Sequence, residues 1–178
     1  MRYDQLEHAI RAACDVSGDT ELLIFGSQAI LGSYPDAPES LRASIEVDVQ
    51  SKNRPEMTDY IDGALGQDSL FHTTHGFYVH GISIDAATLP EGWSDRTIEV
   101  SHPIATKGHK GLCLEAHDLS ASKLVASREK DRVFVATLLN EGLIDGETLI
   151  QRIDKLPVKK DIRERLIKWV EITADEIV

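Results

Sequence analysis

One stretch constrains this chain more than any other: residues 22–49, LLIFGSQAILGSYPDAPESLRASIEVDV. Its opening apolar run, Leu22-Leu23-Ile24-Phe25, is too short for a helix and is closed by Gly26-Ser27, so it reads as a buried strand. After an acidic, proline-containing loop the pattern returns as Ile45-Glu46-Val47-Asp48-Val49. A strand's side-chain period of two puts Glu46 and Asp48 on one face and Ile45, Val47 and Val49 on the other. Neighbouring carboxylates repel unless a cation lies between them, and a magnesium-type ion with hard oxygen ligands is the usual remedy. Gly26 lets the backbone approach a ligand, and a helix opening at residues 27–31 would aim free amides at an anion. Phosphate at one end and metal at the other is the resulting expectation.

The order apolar-Gly-Ser, loop, acid-apolar-acid-apolar resembles the signature of the polymerase-beta-like nucleotidyltransferase superfamily. That resemblance implies that Gly26 and Ser27 hold a nucleoside triphosphate such as ATP. It also implies that Glu46, Asp48 and a third carboxylate on a later strand hold two magnesium ions. Ile82-Ser83-Ile84-Asp85 reads as that strand, with Asp85 as general base or ligand. Two features depart from the superfamily pattern: the first acid is Glu, and the connection through residues 28–44 is long. The extra methylene of Glu46 shifts its oxygens, whereas two-metal chemistry wants ions about 3.5–4 Å apart.

With 178 residues, the chain has room for one core or for a domain with a helical appendage. The residues read as a core over 1–116 and a helical subdomain over 117–178 packed upon it. The fold class expected is α+β, a small mixed sheet of nucleotidyltransferase type with flanking helices. No apolar stretch is long enough to span a bilayer, and the amino terminus reads as an amphipathic helix over 3–16, so the expected location is the cytoplasm. Cys14 and Cys113 read as buried thiols rather than a disulfide or metal pair. A formal charge of −11 excludes a surface devoted as a whole to nucleic acid. RNA would need a local basic patch, for which Lys107, His109, Lys110, Lys123, Arg128 and Lys130 are the candidates. Arg42, four residues before the acids, reads as a surface arginine or as a group steadying them. His72, His75 and His80 read as ordinary strand and loop histidines, because a zinc site wants four well-placed ligands and no cysteine pair accompanies these three.

From Asp118 a helical pattern runs to residue 140, with Asp118 as its cap and Asp131 on the same face as Leu124. An acid there is costly unless paired, and Arg128, three residues earlier, is one possible partner. Ser122-Lys123-Leu124, Arg128, Lys130-Asp131 and Phe134 are similar to a helical motif of a bacterial nucleotidyltransferase-like family related in outline to the AbiEii toxins. There the lysine, here Lys123, is expected to contact nucleotide phosphates, with Asp131 near the active site. A second capped helix follows Asp145, and the last, from about residue 159, carries an apolar stripe of Ile162, Leu166, Trp169 and Val170.

The function these features imply is metal-dependent transfer of a nucleoside monophosphate from an NTP to RNA, such as tRNA, or to a protein. The resemblance adds a cognate partner within a toxin–antitoxin pair. The rival is a nucleotidyltransferase-like binding module or antitoxin without turnover, which the Glu at the first acidic position favours. A hydrolase using the histidines has no recognisable spacing to support it.

Overall fold

The computed structural model describes residues 1–176. The chain is α+β: its strands form one mixed five-stranded sheet of order β3-β2-β1-β5-β4. Two compact units result, one of Met1–Ala86 with Thr97–Glu115, the other of Ala87–Arg96 with the chain from Ala116 onward. Among the described residues no helix is long and apolar enough to cross a membrane.

The sheet unit opens with α1 (Tyr3–Ser17), which buries Leu6, Ile10 and Ala13 and ends at Gly18 in the left-handed region. Strand β1 (Glu21–Phe25) pairs antiparallel with β2 (Glu46–Ser51) and parallel with β5 (Lys110–Cys113). Strand β3 (Tyr78–Gly81) runs parallel to β2, and β4 (Ile98–Val100) forms a hairpin with β5. Leu22, Ile24, Val47, Val49 and Val79 lie on one buried sheet face, against which α1 packs together with α3 (Thr58–Leu65). The expected helix after Gly26 is instead a 3-10 turn, Ser27–Ala29, followed by the four-residue α2 (Ile30–Ser33).

Three further expectations change here. Ile45 precedes β2 and is 47% exposed, so the buried face begins at Val47. His72 and His75, expected in strand or loop, belong to a short helix, α4 (Leu70–His75), which ends at Gly76. Residues 82–85 do not form a strand: β3 stops at Gly81, whose amide donates to Asp62 Oδ1 at 3.2 Å. The Gln50 side chain then accepts the Ile84 amide at 2.7 Å, and Ile84–Ala86 closes as a 3-10 turn carrying an exposed Asp85.

The other unit holds α5 (Ala116–Ala126), α6 (Glu129–Asn140), α7 (Gly146–Asp154) and α8 (Lys160–Asp175). Residues 87–96, expected within the first domain, group with these helices. Arg96 makes two hydrogen bonds to Asp118, at 2.8 and 2.9 Å, and the Glu91 amide donates to the Lys155 carbonyl at 2.9 Å. Asp118 is therefore no cap; fully buried in the first turn of α5, it also lies 3.2 Å from Arg152 Nε. The single helix expected over 118–140 breaks at Ser127, which has φ 56°. On an unbroken helix residues 123 and 131 would stand about 12 Å apart along the axis. The break brings Lys123 Nζ to 3.2 Å from Asp131 Oδ1. Asp145 caps α7 through the Thr148 amide, and α8 buries Leu166 and Val170 while Ile162 and Trp169 are half-buried.

Asp19 ties the entry of β1 to the exit of β2. Its carboxylate accepts from Ser51 Oγ at 2.7 Å, the Asn53 amide at 2.8 Å and the Thr20 amide at 2.7 Å. Burial works to raise this carboxyl, but the hydrogen bonds from Ser51 and Asn53 outweigh it and hold it far below the usual range. A depressed folded-state pKa gives stability that is complete above the unfolded-state value and is lost as the pH falls towards the folded one. Asp19→Ala should therefore cost about 2–4 kcal/mol in urea unfolding at pH 7, with the difference from the parent shrinking below about pH 4.

Candidate functional site

The acids stand where the alternation in β2 puts them. Glu46 and Asp48 share the sheet face opposite Val47 and Val49, and both are partly exposed. The neighbouring strand adds what its own sequence did not reveal. In the parallel register Glu46 pairs with Tyr78 and Asp48 with His80, so all four side chains occupy one face. His80 Nδ1 lies 3.0 Å from Glu46 Oε1 and 2.9 Å from Asp48 Oδ1. Glu46, Asp48 and His80 each offer a ligand atom within 4.8 Å of the other two, a group able to hold a metal ion. Burial, then the nearby charges of Glu46 and Asp48, raise the Tyr78 phenol above its ordinary value.

On the other side of β2, Phe25 pairs with Asp48, so the turn after β1 meets the second acid directly. Gly26 has φ 71°, and a Cβ on it would stand 2.0 Å from Asp48 Oδ2. Only glycine combines that backbone with that approach. The Gly-Ser turn and the acidic strand thus form one continuous surface.

The donor set tests the fit of a divalent cation. Two carboxylates and an imidazole, partly exposed on a rigid sheet face, suit a divalent ion with room for further ligands. Asp85, expected as the third carboxylate, lies beyond the end of β3 and is not part of this group; His80 holds the strand position instead. The place of the histidine beside the acids was missed because it depends on β2–β3 register. The signal present was the alternation Tyr78-Val79-His80, which matches Glu46-Val47-Asp48 two for two.

Over residues 3–175 the chain matches the family described as "Nucleotidyltransferase of unknown function (DUF6036)". The chain belongs to this family. No curated protein and no solved structure matches it. Membership agrees with the Gly26-Ser27 turn and the acidic strand, the two features that first suggested a nucleotidyltransferase.

The remaining expected residues fall into separate groups. Arg42 is engaged away from the acids: its Nε donates to the Ala37 carbonyl at 2.5 Å, and its own carbonyl accepts from the amino terminus. Lys107 and His109 face Asp15, and Lys110 pairs with Glu99, so these basic candidates have acidic partners. Lys123, Arg128 and Asp131 come together within the helical unit. Asp131 is 1% exposed and accepts from Arg128 Nε at 2.6 Å as well as from Lys123, while Lys123 Nζ lies 4.5 Å from the centroid of the Phe134 ring. Burial pulls Lys123 down despite Asp131 beside it. Burial opposes ionisation of Asp131 too, but Arg128 and Lys123 hold its carboxyl below the ordinary range.

Two outcomes follow from this geometry. Gly26→Ala should lower stability by about 1–3 kcal/mol in urea unfolding, through backbone strain and the collision with Asp48. Asp131→Ala should cost about 3–5 kcal/mol because it strands a buried ammonium. The double variant Lys123→Met/Asp131→Leu should recover most of that loss in the same measurement if the pair is structural.

Proposed function

We propose that the protein is a metal-dependent nucleotidyltransferase whose chemistry sits on the Glu46/Asp48 face of the sheet. The observation that carries the reading is the contact of Gly26 with Asp48, which joins a phosphate-type turn to a carboxylate pair. In this reading the amides at Gly26-Ser27 receive the triphosphate, and Glu46 and Asp48 hold a divalent cation. That cation, when bound, neutralises phosphate charge and polarises the phosphoryl group. An acceptor hydroxyl attacks the α-phosphorus, the bond from that phosphorus to the bridging oxygen breaks, and pyrophosphate leaves. The hydroxyl proton passes to the Asp48 carboxylate. Asp85, on its exposed turn, is not needed as the base.

The acceptor we favour is a hydroxyl on RNA or protein, and the resemblance of the Lys123–Asp131 motif to a family related in outline to the AbiEii toxins suggests a toxin–antitoxin setting. The chain's net charge of −11 means that an RNA acceptor would be gripped locally rather than by the whole surface. Lys123, Arg128 and Asp131 enter as a self-paired cluster: a phosphate competing for Lys123 has to displace Asp131. A second reading, nucleotide binding without turnover, draws support from His80 standing where a third carboxylate was expected.

Incubation with a divalent cation, each α-labelled nucleoside triphosphate and either total RNA or lysate protein decides between them. Transfer of label, reduced about 100-fold or more by Asp48→Asn, is the expected result. Nucleotide binding that persists without any transfer would support the second reading.

A further inference from the structure

We propose that His80 is a direct ligand, completing with Glu46 and Asp48 a mixed nitrogen–oxygen site that takes a first-row transition cation such as Mn2+ in preference to Mg2+. The inference builds on the cation role proposed above and goes beyond it by naming the third ligand and the class of metal. Ligands that are neighbours around an octahedral cation at about 2.0–2.2 Å lie about 2.8–3.1 Å apart. His80 Nδ1 is 2.9 Å from one carboxylate oxygen and 3.0 Å from the other, which matches two of the three edges of a coordination face, and all three donors lie within 4.8 Å of one another.

The arrangement is held by backbone. Asp48 and His80 are register partners on hydrogen-bonded strands, as are Glu46 and Tyr78. Gly26 borders the second oxygen of Asp48 without a side chain of its own. All three donors are partly exposed, leaving the outer side of the site open to phosphate oxygens or water. Mg2+ favours carboxylate, carbonyl and water oxygens, whereas imidazole suits first-row cations such as Zn2+, Fe2+ and Ni2+; Mn2+, which shares much of the oxygen preference of Mg2+, is the most demanding member of the class to test. A histidine in place of a third acid therefore shifts the preference and also removes one negative charge from the site.

The test is titration of chelator-treated protein with Mn2+ alone, followed by electron paramagnetic resonance. Pulsed measurements then look for coupling to an imidazole nitrogen. One Mn2+ with nitrogen coupling, retained against about a hundredfold excess of Mg2+, is expected. His80→Gln should abolish the coupling and weaken Mn2+ binding about 10–100-fold. His80→Asp should restore binding without the coupling and bring Mn2+ and Mg2+ affinities closer together. Circular dichroism confirms that both variants fold. No stoichiometric Mn2+ binding, no nitrogen coupling in the parent protein, or an unchanged metal preference in His80→Gln would each overturn the inference. Nitrogen-coupled Mn2+ in a protein that neither binds nor transfers nucleotide supports this site and counts against the function proposed above. Transfer of label by a parent protein whose bound Mn2+ shows no nitrogen coupling supports that function and overturns this site.

Discussion

The antiparallel register of β1 and β2 is the constraint on which the candidate site depends. It sets Phe25 opposite Asp48 and so carries Gly26 against the Asp48 carboxylate. A slip of one residue would turn Glu46 and Asp48 into the core and Val47 and Val49 outward, which the apolar face forbids. Asp19 fastens the far end of the same pair of strands, taking hydroxyl and amide donors from both. Buried hydrophobic pattern and buried polar cap thus enforce one alignment.

That alignment then distributes charge. Two carboxylates side by side are unfavourable on their own, and in this structure the imidazole of His80 bridges them. Strand register places the three side chains together on one face, with ligand atoms within 4.8 Å of one another, a group able to hold a metal ion. A transferase of this type works by positioning and charge neutralisation. The helical unit follows a different logic, burying acids against cations: Asp118 between Arg96 and Arg152, and Asp131 between Lys123 and Arg128. Such pairs contribute little net stability over apolar substitutes but penalise loss of either partner.

Much of this was legible in the chain itself. The amphipathic α1, the strand before Gly26, the alternation of β2 and the Asp145 cap all rest on interactions within a few residues. Where the expectations changed, a distant partner was responsible. Asp118 has the chemistry of a cap but lies 22 positions from the arginine that claims it. The 118–140 periodicity spans a real break because Ser127 takes a left-handed conformation that the periodicity does not encode. Residues 82–85 alternate like a strand, yet Gln50 intercepts the backbone and turns it away.

By itself the sequence determined that Glu46 and Asp48 would share a face and that a glycine-closed strand would precede them. Side-chain alternation and the conformational freedom of glycine are local properties, carried wherever the strand goes. Only the tertiary structure decided that His80 would be the third member of the group and Asp85 would not. Strand pairing between residues 32 positions apart is set by the packing of the whole sheet, and no local pattern specifies which partner comes to rest beside Asp48.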